Sequence, residues 1–198
     1  MNTTNEMIRY SAFKLFLENG YEATNVRDIC KEVDIKAASM YFYYKSKQEL
    51  FFCIYDEIYE EYIHYLKDID LQKQNSSPKM KLYVTYRKVM DYYSRNFVKQ
   101  KFLIRYHLFP PADIAQLIHE RYKYWTGLEN DVYQQIIQEG LNYKILAEDR
   151  TMEEYLQEIR KFLNAQLMNM ILYNIKPNEA ELDRIWIKFW NGAMLNGI

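Results

Sequence analysis

The 198-residue sequence predicts an all-α protein, and three observations carry that expectation. With 5 Gly and 4 Pro it has too few turn formers for a β sandwich or a disordered chain. Its residues are 49% hydrophobic and 17% aromatic, and a chain of this mass buries about 70% of its unfolded surface. That is enough for one large core or two small ones without a disulfide or metal staple. Helix-capping patterns also recur ahead of apolar residues at helical spacing.

Thr3 stands three residues before Glu6, so the first helix starts with reciprocal caps, and Ile8, Ala12, Leu15 and Phe16 share its buried face. Gly20 is expected to end it, with Tyr21 as the apolar residue just beyond. Thr24 is expected to cap a second, short helix that buries Val26, Ile29, Cys30 and Val33. Asp34 sits at the turn, since Asp enters the left-handed region more easily than most residues. A third short helix covers about 36–43. Ser46 and Glu49 cap a longer one that buries Leu50, Phe51, Ile54, Ile58 and Tyr62.

The polar stretch 68–79, with Ser-Ser-Pro, reads as a loop. Helical spacing resumes over 80–97 and 100–108. Pro110-Pro111 breaks it, and Pro111 fits the first turn of a helix running to Glu139, which Gly140 is expected to stop. Thr151 with Glu154 caps a helix to residue 173 or 174, and Asn178 with Glu181 starts the last one, ending near Leu195.

A net charge of −1 excludes a uniformly basic surface but leaves room for a local basic patch. Cys30 and Cys53 fall in helical stretches and are expected to be small apolar packing residues in a reducing compartment. The first residues lack a signal-peptide pattern and no stretch has the length of a membrane helix, so a cytoplasmic protein without a membrane partner is expected.

Two short helices around a tight turn have the dimensions of a helix-turn-helix, whose second helix enters the DNA major groove. From Ile35 to Gln48 there are Lys36, Lys45 and Lys47 and no acid, while Tyr41, Tyr43 and Tyr44 carry hydroxyls able to meet phosphates. The run from Ile8 to Asp56, with LFLENGYEAT, VRDI, MYFY and KSKQEL, resembles the N-terminal DNA-binding domain of the TetR family of bacterial repressors. It covers about a quarter of the chain.

The resemblance implies that Asn25 and Arg27 reach the backbone or a base edge, that Lys36, Ala37 and Ser39 face the groove, and that Tyr41, Tyr43 and Lys47 grip phosphates. Lys47 also lies at a helix N-terminus, where free amides favour an anion. Tyr44 is expected in the core. The chain departs from the family at Asp34, where Gly is usual, and at Lys36, where Ser or Thr is usual. Ala37 and Ala38 offer only methyls, so part of the specificity is expected from thymine methyls or DNA shape.

No zinc-finger spacing, phosphate-binding Gly loop or nucleophile elbow appears, and Glu61-x-x-His64 has no second copy to build a di-iron site. The protein is therefore read as a non-enzyme without a cofactor or bound metal. Most of the 20 Tyr, 10 Phe and 3 Trp lie beyond Asp56. Tyr86, Tyr93, Tyr106, Tyr122 and Trp125 are candidates to line a pocket for a flat, apolar or cationic inducer, with Glu120 and Glu129 as acidic neighbours. By the resemblance the last two helices pair with a second chain, with Phe162, Leu167, Met170, Trp186, Phe189 and Trp190 as interface candidates in a homodimer that reads a palindromic operator.

The sequence divides into a helix-turn-helix domain, 1–46 with the motif at about 25–44, and a ligand-binding and dimerisation domain, 47–198. The expected function is a ligand-released, sequence-specific repressor. The alternative is a helical small-molecule-binding protein or enzyme that does not bind DNA.

Overall fold

The computed structural model describes residues 3–68, 76–147 and 149–195. The chain forms α1 (Thr4–Asn19), α2 (Val26–Val33), α3 (Ala37–Tyr43), α4 (Lys47–Lys67), α5 (Pro78–Arg95), α6 (Phe97–Leu108), α7 (Ala115–Asn142), α8 (Met152–Tyr173) and α9 (Glu179–Phe189). A π-helical turn, Trp190–Leu195, prolongs α9, and no strand occurs among the described residues. The fold is all-α, as the composition predicts. Of the loop expected over 68–79, residues 69–75 lie outside the described residues, and α5 already starts at Pro78 behind its N-cap Ser77.

The predicted caps form. Thr3 Oγ1 accepts from the Glu6 N–H at 3.2 Å while Glu6 Oε2 accepts from the Thr3 N–H at 2.6 Å. Thr151 with Glu154 and Asn178 with Glu181 repeat the arrangement. At α4, Ser46 Oγ accepts from the Glu49 N–H at 3.0 Å, but Glu49 reaches one residue further back, to the Lys45 N–H at 2.7 Å.

Four connections differ from the sequence reading. Thr24 is not the N-cap of α2; Asn25 is. Thr24 is buried, and its hydroxyl donates to the Gly20 carbonyl at 2.7 Å, closing the end of α1 instead. Gly20 does end α1, at φ 90° and ψ 164° rather than in the left-handed helical region. A Cβ there would lie 2.9 Å from Arg105 Nη2, and that guanidinium donates to the Leu17 carbonyl at 2.7 Å, so the glycine makes room for the group that caps the helix.

Gly140 does not stop α7, which continues to Asn142. The reversal falls at Lys144 (φ 55°), with the Ile145 N–H bonding back to the Gly140 carbonyl at 2.9 Å. The glycine is needed for close approach, because a Cβ would lie 2.7 Å from Leu146 Cδ1. Finally, Pro111 opens a separate turn, with the Ile114 N–H bonded to its carbonyl at 3.1 Å, and α7 begins only at Ala115.

Packing divides the chain into two compact units, residues 1–61 with 101–123 and residues 62–100 with 124–198. The unit that carries the first three helices therefore extends beyond residue 46. The reason is an aromatic core shared by distant segments. Phe51 of α4 touches Phe16 and Tyr21 from the α1 end, and Phe102 and Tyr106 from α6, with centroid separations of 4.8–5.7 Å across this group. The Tyr106 hydroxyl donates to the Phe16 carbonyl at 2.8 Å.

The second unit has its own aromatic core. Tyr86 of α5 stacks on Trp186 of α9 at 5.6 Å, and Phe162 of α8 stacks on Phe189 at 4.0 Å, nearly parallel at 8°. Arg87 ties α5 to α9 through Asp183 at 2.9 Å and through Glu179.

Candidate nucleic-acid interface

The turn between α2 and α3 is closed by Asp34, which adopts φ 55° and ψ 47°. The Ile35 N–H bonds to the Cys30 carbonyl at 3.0 Å and the Asp34 N–H to the Lys31 carbonyl at 3.3 Å. This is the double-bonded helix ending that glycine usually serves, made here with Asp at the left-handed position. Lys36 is the N-cap of α3 and makes no side-chain capping bond, as its residue type implies.

Met40, with no exposed surface, holds α3 against its unit, and the buried Tyr44 follows, donating its hydroxyl to Asn5 Oδ1 at 2.5 Å. Burial displaces the Tyr44 phenol upward to about 12, against the opposing hydrogen bond with Arg9, so it stays a neutral donor. The core role expected for Tyr44 is the observed one. Successive residues advance about 100° around a helix. With Met40 inward, Ala38 and Phe42 mark the centre of the outward face and Ser39 lies beside them, while Tyr41 and Tyr43 fall on opposite flanks. Exposure follows this wheel: Phe42 is 85% exposed, Tyr41 52% and Tyr43 39%, whereas Ala37 is half-buried on the Met40 side.

Of the residues expected to meet DNA, Asn25, Arg27, Lys36, Ser39, Tyr41 and Tyr43 are exposed. The Asn25 backbone N–H donates to Asp28 Oδ2 at 3.2 Å, the reciprocal half of the cap at the start of α2. Lys47 is placed differently. Its ammonium donates to the Tyr21 carbonyl at 2.8 Å and the Thr24 carbonyl at 3.1 Å and lies 4.2 Å from the centre of the Tyr21 ring. Lys47 thus fastens the α1–α2 connection to the start of α4, with two of its three hydrogens engaged.

Sequence reasoning passed over Phe42, because an aromatic at helical spacing reads as core. The signal was its position, two residues from the inward Met40 and one turn from Ala38.

The five aromatics expected to line one ligand pocket are divided between the two units. Tyr106 and Tyr122 belong to the first unit, where Tyr106 is core and Tyr122 packs on His107 at 4.5 Å. Tyr86, Tyr93 and Trp125 belong to the second, where Tyr93 stacks with Tyr62. Of the acidic neighbours, Glu120 bonds Gln116 and Glu129 accepts from the Tyr62 hydroxyl at 2.5 Å. Burial raises the Glu129 carboxyl above its usual range, with that hydrogen bond and Arg160 opposing.

The second unit does contain a narrow apolar cleft, with free space of about 10 Å³, the room of a single water, and with Leu82, Tyr86, Tyr133, Phe162, Trp186 and Phe189 among its walls. The Tyr133 hydroxyl is buried without a hydrogen-bond partner.

Of the interface candidates, Leu167, Met170, Trp186 and Trp190 are buried within the chain, and Phe162 and Phe189 are half-buried against each other. Their large apolar surfaces are used internally, so they do not form an outward face. The exposed apolar residues of the same region are Leu172, Tyr173, Ile175 and Ile187. Cys30 is buried, Cys53 half-buried, and both are free thiols. Among the described residues no helix is long and apolar enough to cross a membrane.

Residues 8–54 match the model of the bacterial regulatory proteins of the tetR family. The biofilm operon icaADBC HTH-type negative transcriptional regulator IcaR of Staphylococcus aureus is 39% identical over 67 residues. That match spans 34% of each chain, about a third of the relative's length. The Probable HTH-type transcriptional regulator YttP of Bacillus subtilis is 24% identical over 196 residues, covering 95% of this chain and 92% of that one.

Among solved structures, a TetR transcription regulator from Haloarcula marismortui has a TM-score of 0.75 at 15% identity, covering 98% of both chains. The regulator FadR from Bacillus subtilis, solved in complex with stearoyl-CoA, has a TM-score of 0.73 at 18% identity, covering 97% of this chain and 98% of that one. These two share the fold. With the N-terminal motif matched in order and the tight turn formed between α2 and α3, residues 8–54 are a segment of the tetR-family type, and the chain as a whole shares the fold of a solved TetR transcription regulator.

Proposed function

We propose that the protein is a dimeric, sequence-specific transcriptional repressor whose α3 reads the major groove and which a small molecule releases from DNA. The observation that carries this reading is the outward face of α3. It holds exposed aromatic, hydroxyl and cationic side chains with no acid from Ile35 to Gln48, on a helix fixed by Met40 and Tyr44. Arg27 and Lys36 supply sequence-independent attraction to phosphates, and Tyr41 and Tyr43 suit the two flanks of a groove. In this reading residues 1–46 recognise DNA and 47–198 dimerise and bind ligand.

Retardation of duplex DNA from upstream of its own gene tests the reading, with random duplex of equal length as the control. The upstream DNA is expected to bind more tightly. Arg27→Ala should weaken both complexes similarly and reduce the slope of log affinity against log salt by about 0.9, the release of one phosphate contact. No retardation of any duplex at moderate salt would leave the helical small-molecule-binding alternative.

Dimerisation supplies the two recognition helices that a palindrome requires. We assign it to the exposed apolar residues Leu172, Tyr173, Ile175 and Ile187 in place of the buried set. Ile187→Glu at this 56% exposed position should leave the fold intact and shift sedimentation from dimer toward monomer. An unchanged dimer would move the interface elsewhere.

The ligand is assigned to the second unit, where the aromatic cleft has to widen by side-chain movement to admit a small apolar molecule and the unpartnered Tyr133 hydroxyl on its wall suits one polar group. The stearoyl-CoA in the FadR structure, with its long acyl chain, is a precedent on this fold for a ligand with a large apolar part. Such a ligand releases DNA only if it binds more tightly to the conformation in which the recognition helices are wrongly spaced.

A further inference from the structure

We propose that Phe42 is a specificity-determining residue that reads thymine C5 methyl groups, so that the operator carries thymines under the centre of α3; this rests on the DNA-binding reading above. Phe42 is the most exposed large apolar side chain among the described residues, at 85%. Its recorded ring contact is with its neighbour Tyr43, edge-on at 5.2 Å and 89°. It stabilises no core, and a phenyl ring can neither pair with a phosphate nor hydrogen-bond a base.

The surrounding face narrows the choice of partner. Ala38 stands one turn before Phe42 on the same side and adds a methyl, while Ser39 is the one hydroxyl beside them. Lys36 lies at the helix start and Tyr41 and Tyr43 on the flanks, so hydrogen-bonding groups surround an apolar centre. In the major groove the one apolar group that a base edge presents is the C5 methyl of thymine, and cytosine, adenine and guanine offer only donors and acceptors there. An apolar side chain at the centre of a groove-facing helix therefore favours thymine through contact and disfavours the other bases through unpaired polar edges.

A wedge inserted between base pairs is the other use of an exposed Phe at a DNA surface, but such wedges act from the minor groove. The two uses differ in one chemical group. Replacing thymine by uracil removes the methyl and leaves pairing and every hydrogen-bonding group in place. Methyl contact is sensitive to that change and insertion is not.

The test uses full-length protein and a duplex enriched from a randomised pool by repeated binding and amplification. Each thymine is replaced singly by deoxyuridine, and affinity is measured by fluorescence anisotropy. For wild type, one or two positions per half-site should lose about three- to fivefold in affinity, the value of burying one methyl. Phe42→Ala should bind the thymine duplex more weakly and show no further loss on uracil substitution at those positions, while Phe42→Leu keeps part of the sensitivity. Because the side chain is exposed, both variants should keep the wild-type thermal midpoint.

Equal affinity of wild type for every uracil duplex overturns the inference while leaving DNA binding intact. Equal uracil penalties in wild type and Phe42→Ala also overturn it, since the methyl is then read by another residue. If no duplex can be enriched at all, the DNA-binding reading itself fails and this inference falls with it.

Discussion

Phe51→Ala is expected to destabilise the first unit by about 3–5 kcal/mol and, with it, to abolish tight operator binding. Phe51 has no exposed surface, and its ring lies within 6.2 Å, centre to centre, of Phe16, Tyr21, Phe52, Tyr55, Phe102 and Tyr106. Those residues come from α1, the α1–α2 connection, α4 and α6, so a single truncation removes contacts across three helices and a turn and leaves a cavity where little can collapse. Several pairs meet edge-to-face, Phe51 with Phe16 at 72° and with Tyr106 at 78°, an attraction added to simple burial. The DNA consequence follows from what this core supports: α1 carries Asn5, which holds Tyr44, and Tyr44 ends the recognition helix. Denaturant unfolding followed by circular dichroism, with anisotropy on the enriched duplex, checks both halves. A loss under about 1 kcal/mol with wild-type DNA affinity would show that the core does not set the recognition helix in place.

The sequence made much of this legible because the local signals were chemical and short-range. Thr3, Thr151 and Asn178 cap helices through partners three residues away, and such contacts depend on nothing distant. Asp34 was readable as the turn residue for the same reason. What could not be read depended on residues far along the chain. Thr24 looks like a cap until the Gly20 and Leu15 carbonyls are brought under it. Gly140 looks like a helix stop until Leu146 folds back against it. Lys47 has the type and position of a phosphate ligand, yet the carbonyls of Tyr21 and Thr24, 26 and 23 residues away, take its ammonium. The aromatic candidates for ligand and dimer were drawn from helical spacing, which reveals that a face is apolar but not which neighbour covers it, and four of the six dimer candidates are covered by their own chain.

Acid should weaken the two units unequally, and His107 is the reason. His107 Nε2 lies 2.8 Å from the Tyr55 hydroxyl and 3.2 Å from that of Tyr59, with the Tyr122 ring 4.5 Å from the imidazole. Those groups suit a neutral ring whose Nε2 accepts the closer hydroxyl's proton, a tautomer inferred from the partners. Among the described residues no carboxylate is seen bonded to the ring, and burial draws its pKa down from 6.5 to about 4. The folded protein therefore binds the proton less readily than the unfolded chain. The stability His107 contributes is complete above pH 6.5 and is lost as pH falls through 6.5 toward 4, about 3 kcal/mol in all.

Glu129, in the second unit, acts in the opposite direction. Its folded-state pKa is raised, so it favours the fold at low pH and that contribution is lost as pH rises through the carboxylate range. The 3 Trp, at 125, 186 and 190, all lie in the second unit and so report on it alone. On acidification from pH 7 to 4, helix loss measured by circular dichroism should precede any change in tryptophan emission, and DNA affinity should fall with the first. His107→Phe removes the titrating group at the cost of the hydrogen bonds that the Tyr55 and Tyr59 hydroxyls make to it. It should be less stable than wild type at pH 7, and the difference should shrink by about 3 kcal/mol at pH 4. A difference that stays constant across that range would mean that His107 is protonated equally in the folded and unfolded states, and that the acid response of the first unit has another source.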